Sequence, residues 1–205
     1  MSRKDHRTRN DQYTRKARSH GYRARSVYKL EELAQRFGLL GRGLRVLDLG
    51  AAPGSWTQFA AEKVGSAGTV VAVDIKEMDS ITGHPNVTTI TSDLFAPETA
   101  ASLMELGPFD VVLSDAAPNT TGNRTVDTSR SCELVERVLE LSRKLLKPGG
   151  SLAAKLFQGG DEQRLVTAAR DAFLTARLAK PRASRDESME VFLVATGRLA
   201  TDDSE

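Results

Sequence analysis

Short apolar runs alternate along the chain with stretches whose apolar residues recur at helical spacing. The runs predict seven strands, at residues 45–49, 69–74, 87–91, 109–115, 151–157, 177–180 and 190–196. The helical spacing predicts one helix that begins near Ser26, with Ser26 as its N-cap, and others at 126–146 and 161–174. This alternation is typical of an α/β fold, in which helices cover both faces of a mostly parallel sheet.

The last two predicted strands are joined differently from the others. Residues 181–189 between them are mainly polar and show no helical pattern. Because parallel neighbours need a crossover connection, a short link of this kind favours an antiparallel pair. We therefore expect a seven-stranded sheet with an antiparallel hairpin at one edge.

The first strand runs into a loop rich in glycine and proline. Its sequence is Asp-Leu-Gly-Ala-Ala-Pro-Gly-Ser-Trp over residues 48–56, and a helical stretch follows. A strand, a glycine loop and a helix start let a nucleotide-like ligand lie against bare backbone. The loop lacks the G-x-G-x-x-G spacing that meets a pyrophosphate. It therefore favours a ligand without phosphate, such as S-adenosylmethionine, over NAD.

Four acids follow four predicted strands: Asp48, Asp74, Asp93 and Asp115. Asp74 lies where an acid commonly binds ribose hydroxyls, and Asp93 lies where one could accept from an adenine amino group. A lone acid at a strand end is often a helix cap, and that interpretation stays open for Asp48. The only tryptophan, Trp56, follows the loop and is either a core residue or a wall of the ligand pocket.

Charge divides the chain into three parts. Residues 1–25 hold nine Lys or Arg and two acids, whereas the whole chain of 205 residues has a net charge of only +2. We predict a flexible basic RNA-binding arm at 1–25, a single domain at 26–198 and an acidic tail at 199–205. Tyr13 and Tyr22 could stack on bases within the arm. A solvated tail without a ligand is the alternative.

The remaining composition favours a cytoplasmic monomer. No apolar run approaches the roughly 20 residues of a membrane helix, and no secretory signal begins the chain. A basic organellar presequence is a weaker alternative, because the first residues include acids. The single cysteine, Cys132, excludes an internal disulfide, and its helical spacing with Val135 and Leu139 predicts a buried thiol.

Two lysines stand in unusual places. Lys155 lies inside an apolar strand, where an unpaired ammonium is costly, and Lys29 lies on the first predicted helix. Asp115 ends the fourth strand and Glu190 begins the last. These four residues form either two structural ion pairs or a reactive cluster at the mouth of the ligand site.

The motifs together resemble the FtsJ/RrmJ (RlmE) family of RNA ribose 2′-O-methyltransferases. The motifs are residues 48–56, Ser-Asp-Ala-Ala-Pro-Asn at 114–119, Lys-Leu-Phe-Gln-Gly at 155–159 and Ser-Met-Glu-Val-Phe at 188–192. Ser55 departs from the glycine expected there, and the loop after Gly160 is slightly altered. The resemblance covers most of the chain and implies a Rossmann-like S-adenosylmethionine-dependent methyltransferase fold.

The resemblance also implies roles for individual residues. It places a catalytic tetrad on Lys29, Asp115, Lys155 and Glu190, with Lys155 as the general base. It places the S-adenosylmethionine pocket on Gly54, Trp56, Asp74, Asp93 and Asp115, and it implies no metal.

The compact length is similar to that of members that methylate a uridine of large-subunit (23S) ribosomal RNA, so ribosomal RNA or the large-subunit particle is the expected partner. The same chemistry on tRNA or an mRNA cap, a non-catalytic ribosome-assembly factor and a nucleotide-dependent oxidoreductase are the alternatives.

Overall fold

A computed structural model describes residues 12–184 and 188–200. The strands are β1 Arg45–Leu49, β2 Thr69–Asp74, β3 Val87–Thr91, β4 Phe109–Ser114, β5 Leu146–Phe157, β6 Phe173–Ala179 and β7 Glu190–Arg198. The helices are α1 at 12–19, α2 Val27–Phe37, α3 Ser55–Val64, α4 Pro97–Leu106, α5 Arg124–Leu145 and α6 Glu162–Arg170. None of the helices in these described ranges has the length and apolar character needed to cross a membrane.

The strands form one sheet in the order β3-β2-β1-β4-β5-β7-β6. The pairs β2–β3, β1–β2, β1–β4 and β4–β5 are parallel, whereas β7 is antiparallel to both β5 and β6. This confirms the predicted fold class, with β7 reversed between its two neighbours. Because β7 is reversed, its first residue lies at the sheet edge where the parallel strands end.

Side-chain alternation divides the core between the two faces of the sheet. Leu47 and Leu49 of β1 belong to the cluster that includes α5 and α6, whereas Val46 belongs to the cluster that includes α2 and α3. Both clusters contain fully buried strand residues, so the central strands are covered on both faces, whereas the edge strands β3 and β6 carry exposed residues.

Several boundaries differ from the sequence prediction. Helix α4 was not predicted, because among its residues only Thr99 and Leu103 are buried and the apolar periodicity is weak. Helix α6 ends at Arg170 rather than 174, because the chain enters β6 at Phe173, which is buried in the sheet.

The described part of the predicted arm packs against the domain. Residues 12–19 are helical, Ala17 is buried, and the rings of Tyr13 and Tyr28 lie 5.6 Å apart. The expectation of a flexible arm therefore does not describe residues 12–25, since apolar and aromatic contacts hold α1 on α2. Residues 1–11 and 201–205 lie outside the described residues.

Helix α2 has Ser26 at its N-cap position, as predicted. Ser26 precedes the helix but makes no side-chain cap hydrogen bond. Its Oγ lies 3.0 Å from Ser55 Oγ, so the hydroxyl links the starts of α2 and α3.

We expect Leu113→Ala to lower the free energy of unfolding by about 2–5 kcal/mol, because it leaves a cavity in the core. Leu113 is fully buried on β4, whereas Leu174 on β6 is 74% exposed. The matched variant Leu174→Ala should change the free energy of unfolding by less than about 0.5 kcal/mol. Urea denaturation followed by circular dichroism measures both, and equal losses would contradict this description of the core.

Candidate functional site

Three of the four proposed catalytic residues come from neighbouring strands. Asp115 follows β4, Lys155 lies on β5, and Glu190 begins β7. Each lies two positions from a residue buried against α2 and α3, and these are Leu113, Ala153 and Phe192. Because side chains alternate along a strand, the three residues share that face of the sheet. Helix α2 lies on the same face and carries Lys29.

The four side chains form two ion pairs. Lys155 Nζ lies 3.1 Å from Asp115 Oδ1 and donates a hydrogen bond to the Asp115 main-chain oxygen. Lys29 Nζ lies 2.7 Å from Glu190 Oε2 and donates to it. The lysine side chains are 8% and 9% exposed for Lys29 and Lys155, so their charges depend on these partners.

The charge on Glu190 links the two pairs. Burial disfavours its ionised form, but the positive charge of Lys29, the hydrogen bond from Lys29 and the charge of Lys155 hold the pKa of Glu190 below its ordinary value. Glu190 is therefore a carboxylate that interacts with both lysines, and the four groups act as one electrostatic cluster.

A cavity of about 530 Å³ opens beside this cluster, at the edge where β1, β2 and β4 end. Three predicted ligand residues line it, namely Asp74, Asp93 and Asp115. Asp115 thus lines the cavity and also contacts Lys155. Acidic groups exceed basic ones in the lining, because Glu133 adds a fourth carboxylate against Lys76 and Arg130.

The glycine loop presents bare backbone to the cavity. Gly50 has φ +73°, and a Cβ added there would lie 2.4 Å from Ala116 Cβ, so only glycine fits. Asp74 Oδ2 accepts from Ala52 N at 2.9 Å, which fixes the loop against the end of β2. Asp93 Oδ1 accepts from Phe95 N at 2.9 Å, which fixes the turn after β3.

Gly54 and Trp56 do not line this cavity. Trp56 is buried, stacks on Phe192 with ring centroids 5.7 Å apart, and donates from Nε1 to Ser26 O at 3.0 Å. Of the two interpretations of Trp56, the structure shows the core one. Gly54 precedes α3 with φ +102°.

Asp48 lies beneath the cavity and is fully buried. Its Oδ2 accepts from Thr57 Oγ1 at 2.7 Å, and its Oδ1 has no hydrogen-bond partner among the described residues. Burial, together with the charges of Asp115 and Asp74, raises the pKa of Asp48 to about 7, against the lowering effect of the hydrogen bond from Thr57. Asp48 is therefore largely neutral in mildly acidic solution.

Sequence reasoning missed the cavity wall that α5 supplies. Arg130 and Glu133 line the cavity from that helix, and Ile75 and Phe95 line it as exposed apolar side chains. Arg130 and Glu133 are three positions apart and therefore share a helix face, which was a readable signal. The sequence does not show that Ile75 and Phe95 line the cavity, because their exposure depends on the conformation of the loops that carry them.

A mostly parallel sheet with one reversed strand, and an acidic cavity at its carboxyl edge, define the class of Rossmann-like methyltransferases. A family model described as FtsJ-like methyltransferase matches residues 22–198. The chain belongs to that family, as the motifs predicted.

Curated relatives have similar lengths. A protein of Treponema denticola named ribosomal RNA large subunit methyltransferase E is 47% identical to this chain, and the match covers 90% of this chain and 92% of the relative. A protein of the same name from Syntrophobacter fumaroxidans is 48% identical, and that match covers 90% of this chain and 93% of the relative. A solved structure from Plasmodium falciparum, described as a ribosomal RNA methyltransferase, covers 88% of this chain and all of its own. It superimposes with a TM-score of 0.76 and is 29% identical.

We expect Asp48→Asn to change how stability depends on pH. Because the folded-state pKa of Asp48 is raised from 3.8 to about 7, its favourable contribution is complete below pH 3.8 and is lost as the pH rises to about 7. Relative to the variant, the wild type should lose a few kcal/mol of unfolding free energy over that window, at about 1.4 kcal/mol per pKa unit. Urea denaturation at pH 4.5–8 checks this, and parallel profiles for the two proteins would contradict it.

Proposed function

We propose that the protein transfers a methyl group from S-adenosylmethionine to the 2′-hydroxyl of a ribose in RNA. The observation that supports this most directly is the position of Asp115. This carboxylate lines the acidic cavity and contacts the buried ammonium of Lys155. Because Asp115 belongs both to the cavity lining and to the pair with Lys155, a donor bound in the cavity would lie close to the proposed base.

The cavity fits this donor. S-adenosylmethionine supplies an electrophilic methyl group on a cationic sulfonium, which carboxylates stabilise. Asp74 and Asp93 occupy the positions proposed for the ribose hydroxyls and the adenine amino group, and bare backbone at Gly50 leaves room beside them. The methyl transfer that we propose uses no metal.

Lys155 is the proposed general base. The ribose oxygen forms a bond to the methyl carbon, the carbon–sulfur bond breaks with its electron pair passing to sulfur, and the hydroxyl proton passes to Lys155 Nζ. A lysine can accept that proton only as the neutral amine. The role proposed for Asp115 is to orient Nζ through two contacts, one of them to its main-chain oxygen.

Lys29 has a separate role in the proposal. Its ammonium donates to Glu190 Oε2 at 2.7 Å. From there Lys29 could contact a ribose or phosphate oxygen of the RNA. Replacing Glu190 would leave Lys29 buried without its partner, which is costly.

The proposed substrate is a uridine of large-subunit (23S) ribosomal RNA, free or in the large-subunit particle. Support comes from the relatives named ribosomal RNA large subunit methyltransferase E, which match most of this chain. We propose that the protein acts in the cytoplasm. We also propose that it acts as a monomer, because a single chain carries all four residues of the proposed tetrad. Basic residues in the first 18 positions of the sequence are proposed to bind the RNA backbone.

We expect Lys155→Ala to lower kcat by about 10²–10⁴-fold at saturating donor and RNA, because proton transfer loses its base. The measurement is the formation of 2′-O-methyluridine in large-subunit RNA, quantified by mass spectrometry of nucleosides. The matched control is Lys147→Ala on the same strand, where the ammonium pairs with Asp110 at 2.7 Å and is 39% exposed. Lys147→Ala should retain wild-type turnover.

Near wild-type turnover of Lys155→Ala would contradict the proposed base. Methylation of tRNA or a cap, but not of large-subunit RNA, would contradict the substrate and retain the chemistry. Full rescue of ribosome assembly by Lys155→Ala in cells lacking the protein would instead favour an assembly factor.

We expect removal of residues 1–11 to weaken RNA binding and reduce its dependence on salt. This segment holds Arg3, Lys4, Arg7 and Arg9. Each phosphate contact that is lost reduces the slope of log K against log salt by about 0.7–0.9. Filter binding of large-subunit RNA at several salt concentrations measures the slope, while calorimetry should show unchanged S-adenosylmethionine binding. An unchanged slope would contradict a role for this segment.

A further inference from the structure

Arg23 bridges two loops of the donor cavity from outside. It lies between α1 and α2. Within the described residues, its guanidinium donates hydrogen bonds to main-chain oxygens only. Nη1 donates to Pro53 O at 3.1 Å and to Asp79 O at 3.1 Å, and Nη2 donates to Ser80 O at 2.8 Å. One side chain thus joins the loop after β1 to the loop after β2.

Asp74 joins the same two loops from inside the cavity. Its Oδ2 accepts from Ala52 N at 2.9 Å, and its Oδ1 accepts from Lys76 N at 2.8 Å. The loops that carry Gly50, Asp74 and Lys76 to the cavity are therefore tied on both sides. Loss of the Arg23 contacts would leave the Asp74 hydrogen bond and the main-chain hydrogen bonds from Gly50 and Ala51 to Val73 O to join the two segments.

Gly54 lies between the outer tie and the second loop. A Cβ added there would lie 2.8 Å from Ile81 Cδ1 and 3.2 Å from Arg23 Nη1. The glycine is thus packed directly against the guanidinium.

The backbone around Arg23 is itself fixed to α3. Arg23 N donates to Gln58 Oε1 at 3.1 Å, and Gln58 Nε2 donates to Gly21 O at 3.3 Å. Tyr22 donates its hydroxyl to Glu62 Oε2 at 2.6 Å, and burial together with Glu62 raises the pKa of Tyr22, so the hydroxyl keeps its proton. The side chain of Arg23 therefore starts from a defined position.

We propose that Arg23 is a positioning residue for the S-adenosylmethionine cavity and not a phosphate contact. Three of the five guanidinium N–H donors already point to loop carbonyls. The planar guanidinium divides its donors between Nη1 and Nη2, whereas a lysine ammonium carries its three donors on one nitrogen, so we expect lysine not to reproduce this set of contacts. That the donor is S-adenosylmethionine rests on the proposed function, whereas the link that Arg23 makes between the two loops rests on its three hydrogen bonds.

The test compares Arg23→Gln and Arg23→Lys in the full chain, by calorimetric titration with S-adenosylmethionine in the absence of RNA. We expect the Kd to rise about tenfold in both variants, which is the effect of losing roughly one net hydrogen bond. The control is Arg18→Gln, an exposed residue of the same basic segment. Arg18→Gln should leave the Kd for the donor unchanged.

Kinetics separate positioning from a general loss of structure. Both Arg23 variants should raise the KM for S-adenosylmethionine, retain kcat at saturating donor, and retain the salt dependence of RNA binding. Wild-type donor affinity in both variants, or its restoration by lysine, would overturn the inference. A reduced RNA salt slope with unchanged donor affinity would instead make Arg23 a phosphate contact. Failure of the wild type to bind the donor would refute the proposed function, which is a distinguishable result.

Discussion

The contact between Lys155 and Asp115 is the interaction on which the site depends. A buried ammonium on a central strand is tolerable only beside a carboxylate and a carbonyl, and Asp115 supplies both. Because Asp115 also lines the acidic cavity, the same residue sets the position of the lysine relative to any bound donor. The contact that pairs the buried charge of Lys155 is therefore also the contact that sets the geometry of the proposed reaction.

Strand parity explains how distant residues meet. Asp115, Lys155 and Glu190 share the sheet face that packs on α2, and α2 carries Lys29. A shift of one residue in the pairing of β5 with β7 would move Lys155 or Glu190 to the opposite face. The buried residues that fix this register, such as Phe192 opposite Lys155, are therefore as necessary to the site as its charged groups.

Much of this arrangement was predictable from sequence. Apolar runs located all seven strands, and acids at strand ends located Asp74, Asp93 and Asp115 in the cavity. What escaped prediction depends on tertiary packing. Helix α4 has too few buried positions to show a period, α1 is held by aromatic contacts, and Arg23 binds carbonyls, which leave no trace in a sequence. Trp56 could be assigned to the core only once Phe192 was seen against it.

Strand β7 is the last helix or strand within the described residues, yet it lies between β5 and β6. During synthesis, β6 is made before β7, which is the only strand that β6 pairs with in the described sheet. Until β7 is made, β5 has an unpaired edge. Insertion of β7 closes that gap and delivers Glu190 to Lys29 in one event. A nascent chain therefore lacks the ion pair between Lys29 and Glu190 until β7 has been made.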